Sequence, residues 1–456
     1  MAERIFQSII DTVGNTPLVQ LNKVTKGIEA RVLAKVEFFN PGGSVKDRIA
    51  RGIIDAAERE GRLKPGGTIV EATSGNTGAG LAMVAAIRGY KAIFTMPDKM
   101  SNEKIRLLKA FGAEVVVCPT AVPAESPESY YEVAKKIARE TPNAILANQY
   151  FNPRNPEAHY LSTGPEIWEQ TDGNIDYFVA GLGTGGTISG TSKYLKEQKP
   201  TLRVVGADPD GSILREYFYT KKMIQARPYK VEGVGEDILP GTLDFSVIDE
   251  VITANDMQSF QTARRLAREE GLFVGGSCGL AAFVALEVAK KLTKNQTVVV
   301  LLPDTGERYL SKFYNDEWMR ENRFLEIERL KIREILAAKP FDLPSLVSVE
   351  PQTTVRHAFQ LMEEKNISQM PVIRDGKTIG SLEEGALTGK ILDNQDLLNA
   401  NVENVMDEPF PVLEEGDTID HAKTLFSQKH AAILVKHQDS FSGIITKSDI
   451  ITYIAT

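Results

Sequence analysis

Cysteine is almost missing from this chain: two residues, Cys118 and Cys278, in a sequence of 456. They lie far apart, and there is no CxxC and no Cys/His cluster, so neither a zinc site nor a disulfide framework is present in the pattern and no metal is expected. Such cysteine usage fits a reducing compartment. Cys118 sits in the apolar run AEVVVCP and is expected to be a buried strand residue. Positive charge is also in short supply. A formal net charge of −8 excludes the concentrated basic face that a nucleic-acid surface needs. No apolar run is long enough to cross a bilayer. The opening MAERIFQSIIDTVG is too polar for a signal peptide, which leaves the cytoplasm as the expected location. What is present is ordinary for a globular protein, 42% hydrophobic and 25% charged residues, with length for two or three domains.

The first 320 or so residues alternate short β-branched runs with longer Ala-rich amphipathic segments. The runs include Thr68–Ala72, Lys91–Met96, Ala113–Cys118, Tyr177–Leu182, Arg203–Asp208 and Thr297–Leu302, and helical patterns such as Glu103–Ala110 and Gln258–Glu270 fall between or after them. Apolar runs without strict alternation imply strands covered on both faces, hence an α/β architecture with parallel or mixed sheet. At residues 326–344 the chain becomes charge-rich with a helical pattern, and a linker helix is expected there. Beyond it Glu350, Thr354, His357, Ala358 and Leu361 recur 64 positions later as Glu414, Thr418, His421, Ala422 and Leu425. Each copy reads strand, turn, helix, then an apolar strand (Met370–Ile373, Ala432–Val435) and another near Gly380 or Gly443. Two such copies imply an α+β pair packed one on the other, with repeats at about 345–397 and 398–456.

Four segments of the first half carry chemistry. In NPGGSVKDRIARGIIDAAEREG, residues 40–61, Ser44 is a candidate N-cap, Ile49, Ile53 and Ala57 form an apolar face, and Gly61 is a stop. Lys46 therefore falls in the first turn of a helix, where the positive end of the dipole disfavours an ammonium. That field and burial both lower an amine's pKa, as a lysine that attacks an aldehyde requires. A second loop, TSGNTG (Thr73–Gly78), joins a strand to the small-residue helix Ala79–Arg88 and points N–H groups and hydroxyls at an anion. It suits a substrate carboxylate, with Asn76 left to bond a ring hydroxyl. The third, GLGTGGT (Gly181–Thr187), lets backbone approach a phosphate at a helix start. Gly181, Gly183 and Gly186 also satisfy GxGxxG, and Asp208 ends the next strand where a dinucleotide's ribose acid would stand. A dinucleotide leaves Lys46 and TSGNTG without a task, whereas a monophosphate aldehyde cofactor joins all three. The fourth, GGSCG (Gly275–Gly279), opens the helix Leu280–Lys290. Ser277 there offers a neutral hydroxyl to a pyridine nitrogen. A ring left unprotonated is a weaker electron sink, suited to β-elimination and replacement.

These segments, in this order over the first 320 residues, resemble the fold-type II pyridoxal-phosphate enzymes, the group of the cysteine synthases and cystathionine β-synthases. The stretches EFFNPGGSVKDR, MPDKMSNEKI, NPEAHY, DPDGSIL, VEGVGEDILP and LPDTGERYLSKF resemble the cystathionine β-synthases more closely, and the C-terminal repeat resembles their paired CBS domains. The resemblance implies a catalytic domain over 1–325, made of two α/β subdomains with the cofactor between them, the linker at 326–344, and a regulatory pair over 345–456. It implies that Lys46 holds pyridoxal 5′-phosphate as a Schiff base and acts as general acid and base, and that Asn76 bonds the ring 3′ oxygen. Gly183, Thr184, Gly185, Gly186 and Thr187 would cradle the phosphate, and Ser277 would meet the pyridine nitrogen. Thr73, Ser74, Thr77 and Gln149 would hold the amino-acid carboxylate, with Tyr150 near the substrate. The implied reaction condenses L-serine with L-homocysteine to L-cystathionine, with related sulfide-producing side reactions; the alternative is cysteine synthesis from O-acetylserine and sulfide.

Departures from the family pattern also count. The catalytic pattern begins within the first 20 residues, so no haem is expected. Glu236 stands where eukaryotic members carry tyrosine, which bears on the thiol substrate. GIITKSDI (Gly443–Ile450) has Thr446 and Asp449 placed to hold an adenosine ribose, although an aspartate there is also a plain helix cap. The first repeat has Glu383 and Ala386 in the corresponding places. The ligand implied is S-adenosylmethionine or an adenine nucleotide. A homodimer or higher homo-oligomer is expected.

Overall fold

The run Thr297–Leu302 (β10) has no polar alternation, and every residue of it is buried. Strands of this kind need cover on both faces, and the fold supplies it. The computed structural model describes residues 5–455, apart from 74, 99–101, 120, 124, 326–329, 340–345 and 429, with backbone alone at 102, 103, 454 and 455. The chain divides into two compact units, Met1–Leu325 and Glu326–Thr456.

The first unit holds two sheets. Six strands, β1 (Leu18–Gln20), β2 (Arg31–Val36), β7 (Tyr177–Gly181), β8 (Arg203–Pro209), β9 (Glu250–Ala254) and β10, run in the order β1-β2-β10-β7-β8-β9. All neighbours are parallel except β1 against β2. The second sheet, β5-β4-β3-β6, is built from β3 (Thr68–Ala72), β4 (Lys91–Pro97), β5 (Glu114–Cys118) and β6 (Ala144–Leu146), all parallel. The chain thus starts in one sheet, crosses to the other, and returns. Cys118 closes β5 and is buried, as its run implies.

Strand β2 contains Lys35, fully buried and paired with Glu166 at 2.7 Å. Glu166 also takes Arg48 at 2.7 Å, and Arg48 pairs with buried Glu37 at 2.7 Å. This buried network ties β2, the Thr163–Gln170 helix and the Lys46–Arg59 helix together two residues from Lys46. Breaking such a network leaves an unpaired buried charge, which typically costs about 3–5 kcal/mol. Among the described residues no helix is long and apolar enough to cross a membrane.

In the second unit β11 (Gln369–Arg374) pairs antiparallel with β12 (Lys377–Glu383). β13 (Val412–Glu414), β14 (Ala432–His437) and β15 (Ser440–Thr446) form the corresponding sheet of the second repeat. The leading strand of the first repeat is reduced to one parallel bridge, Val349 to Val372. The expected linker helix is also different. Its described part is a short helix, Ile332–Ala337, and Ile332 and Ile335 are buried in the second repeat's core with Leu413, Ile419 and Ile433. The Ile332 N–H donates to the Asp417 carbonyl and the Ile419 N–H to the Leu330 carbonyl. It is part of the second repeat rather than a free connector. Likewise Val402 and Val405, placed in the second repeat by a boundary at about 397, pack into the first repeat's core.

Candidate active site

The C-terminal ends of parallel strands β2, β3 and β7 deliver three of the four loops, and the fourth, Gly275–Gly279, follows the helical stretch that ends at Glu270. Chain leaving β2 reaches Lys46 at the first turn of the Lys46–Arg59 helix. The Ser44 hydroxyl accepts the Lys46 N–H at 3.3 Å, while Val45 occupies the cap position. The Lys46 side chain lines a cavity with Gly181, Gly183, Thr184, Gly185 and Thr187. Burial holds its amine below the ordinary lysine range, with Asp304 and Glu236 pulling the other way. Lysine and glycine loop, 135 or more positions apart in sequence, thus share one space.

The glycine loop is shaped by its neighbours. Gly185 has φ +86°, and a Cβ on it would lie 2.4 Å from the Leu243 side chain. A Cβ on Gly183 would meet the Gly233 carbonyl oxygen at 2.8 Å. The loop opens the Gly186–Gln198 helix, whose first N–H groups have no partner within the helix. This is a fitting cradle for a phosphate. Its two threonines are held from one helix, Arg154–Leu161: the Asn155 amide donates to Thr184 Oγ1 at 3.2 Å, and His159 Nε2 meets Thr187 Oγ1 at 3.2 Å. Burial pushes His159 down to about 3, so the ring is neutral.

On the facing side Thr73 Oγ1 accepts the Gly75 and Gly78 N–H groups at 3.2 and 3.3 Å. The Thr77 hydroxyl donates to Gln149 Oε1 at 2.7 Å. These bring Thr73, Thr77 and Gln149 together; Ser74 lies outside the described residues. Asn76 donates to Asp304 Oδ2 at 2.8 Å and accepts from the Arg308 guanidinium. Ser277 is buried in the first turn of the Gly276–Ala289 helix. Its turn packs on Asp304, whose backbone carbonyl accepts from the Cys278 thiol at 3.3 Å. Asp304 and Arg308 were not singled out by sequence reasoning, although LPDTGERYLSKF contains both. Tyr150 lies near Glu236. Burial and the nearby carboxylates of Asp237 and Asp208 push Glu236 up to about 8, against the pull of Tyr150 and Lys46. Asp208, the residue that a dinucleotide site would use, is buried and accepts the Arg215 N–H at 2.9 Å, a turn-capping arrangement.

In the second unit Asp449 Oδ2 accepts the Thr446 N–H and hydroxyl at 2.7 and 2.8 Å and pairs with Lys339 at 2.9 Å. Among the described residues no group of His, Cys, Asp and Glu is arranged to hold a metal.

Comparison with known families agrees with this geometry. The family described as pyridoxal-phosphate dependent enzyme matches residues 9–304, and the CBS domain matches 338–393 and 402–456. The cystathionine beta-synthase of Dictyostelium discoideum is 41% identical over 99% of this chain and 92% of its own. The cysteine synthase of Staphylococcus aureus is 45% identical over 68% of this chain and 97% of its own. Among solved structures, the O-acetylserine dependent cystathionine beta-synthase from Helicobacter pylori aligns with a TM-score of 0.63 and 37% identity, covering 68% of this chain and 98% of that one. The chain belongs to the pyridoxal-phosphate dependent enzymes and, within them, to the cystathionine beta-synthase family.

Proposed function

We propose that this enzyme replaces the β-hydroxyl of L-serine with the sulfur of L-homocysteine, yielding L-cystathionine. The observation that carries the reading is the common cavity of Lys46 and the glycine loop, in a chain matched by a cystathionine beta-synthase over nearly its whole length. Pyridoxal phosphate, when bound, supplies the electron sink for the pair left at Cα. Lys46 holds the cofactor through its amine and, once released, moves the Cα proton. Its lowered pKa keeps a share of that amine free to act. Asn76, oriented by Asp304 and Arg308, would bond the ring oxygen. Gly183, Thr184, Gly185, Gly186 and Thr187 would bind the phosphate, and Ser277 would offer the ring nitrogen a neutral hydroxyl. Thr73, Ser74, Thr77 and Gln149 hold the substrate carboxylate, with Tyr150 beside it. Two free cysteines, both buried, support a cytosolic location.

A second reading has its own support, since a cysteine synthase matches the catalytic part at 45% identity. On that reading O-acetylserine and sulfide are the substrates. Steady-state rates with serine plus homocysteine, set against O-acetylserine plus sulfide, separate the two; we expect the first pair to win, and a large preference for the second refutes the leading reading. Lys46→Ala is expected to abolish both turnover and the visible absorption of lysine-bound cofactor. Retained turnover would refute the role given to Lys46.

We assign catalysis to 1–325 and regulation to the C-terminal pair, with Thr446 and Asp449 as the adenosine-ribose site for S-adenosylmethionine or an adenine nucleotide.

A further inference from the structure

We propose that Glu71 is a positioning residue for the amino-acid carboxylate, acting through Gln149. The inference rests on the reading of Thr77 and Gln149 as carboxylate binders. Strand β3 pairs with β6 in register as far as Val70 opposite Leu146, and the Ala147 N–H donates to the Val70 carbonyl at 2.9 Å. There the ladder ends. Asn148 turns into the left-handed region at φ +53°, and the next two N–H groups lose any strand partner.

Glu71, 1% exposed, receives both. Its Oε2 accepts the Asn148 N–H at 2.5 Å and its Oε1 the Gln149 N–H at 3.2 Å. The Gln149 side-chain Oε1 takes the Thr77 hydroxyl at 2.7 Å, and the Gln149 backbone carbonyl takes the Asn155 amide at 2.8 Å. Gln149 is therefore held at its N–H, its carbonyl and its amide oxygen. With that oxygen committed to Thr77, the amide nitrogen is the end left to meet an anion.

The donors converging on Glu71 explain why a carboxylate stands in so buried a place. Its two oxygens each accept one backbone N–H, although burial still pushes the carboxyl up to about 7; a glutamine would set an N–H against an N–H. A buried carboxylate is costly unless hydrogen-bonded in this way. Loss of Glu71 frees the backbone N–H groups that fix Asn148 and Gln149, and substrate binding should weaken more than the chemical step.

The test uses the cofactor-loaded full chain with Glu71→Gln, Glu71→Asp and Gln149→Leu. Visible absorption without substrate, KM and kcat for serine at saturating homocysteine, and the serine Kd from the spectral change on binding are measured. In Glu71→Gln we expect unchanged absorption, a KM and Kd raised about tenfold or more, and kcat within about threefold. Glu71→Asp, which keeps a buried carboxylate, should show the same pattern at smaller amplitude, and carries the test if the amide variant does not fold. Unchanged KM and Kd in both Glu71 variants overturn the inference, as does a parallel loss of cofactor absorption and kcat. If Gln149→Leu raises KM and the Glu71 variants do not, only this inference fails. If Gln149→Leu leaves KM unchanged, the carboxylate reading of Gln149 fails first.

Discussion

Lys46 shows what a residue's position alone can and cannot say. Its place at a helix start is electrostatically awkward for a structural lysine, and that was legible in the spacing of NPGGSVKDR. Its desolvation was not legible, because the cavity it lines is completed by residues distant in sequence, Ala180, Val234 and Leu301 among them. Glu236 shows the same division. The substitution of an acid for tyrosine, and Asp237 next to it, are visible in the chain, while the raised pKa also needs burial and the Asp208 carboxylate that folding brings near. Because the folded pKa, about 8, lies above the ordinary value of 4.5, the folded state binds the proton more tightly than the unfolded chain. Stability linked to this group is thus fully present below about pH 4.5 and is lost as pH rises through about 8. Glu236→Gln should therefore leave the melting temperature unchanged at pH 4 and raise it at pH 9, by up to a few kcal/mol in stability. Thermal melts of the cofactor-free protein at the two pH values check this, and an equal shift at both would contradict it.

At the scale of elements, apolar runs located β3, β4, β7, β8 and β10, since strands buried on both faces leave an unbroken pattern; β5 was located by its run as well, although only Cys118 of it is buried. Strand β2 broke that pattern with Lys35, which is tolerable only because Glu166, 131 residues away, neutralises it. The segment at 326–344 misled for a different reason. A charged helical pattern next to a domain boundary resembles a connector, yet two isoleucines one turn apart bury in the second repeat. A fragment spanning 330–456 should consequently be more stable than one spanning 345–456. Two buried isoleucines correspond to about 3–6 kcal/mol, and urea unfolding of the two fragments measures the difference. Equal midpoints would show that the Ile332–Ala337 helix adds nothing to the repeat.

For the whole molecule, the regulatory reading depends on Asp449, whose carboxylate is already engaged by Thr446 and Lys339. A ribose that binds there must compete with Lys339, so binding is coupled to the position of that lysine. Calorimetric titration with S-adenosylmethionine should give heat with the wild type and little with Asp449→Ala; identical heats would remove Asp449 from the site. By itself the sequence determined the α/β class and the internal repeat, and it singled out the lysine proposed to hold the cofactor and the loops proposed to receive phosphate and carboxylate. Those are local patterns, written in strand-to-loop-to-helix spacing and in glycines that close packing demands. Only the tertiary structure decided which groups surround them: Asp304 and Arg308 on Asn76, Asn155 and His159 behind the glycine loop, Glu71 beneath Gln149, and the Ile332–Ala337 helix in the second repeat. These pairings join residues up to 232 positions apart. Burial, pKa and the commitment of each hydrogen-bonding group depend on neighbours in space, which no local pattern records.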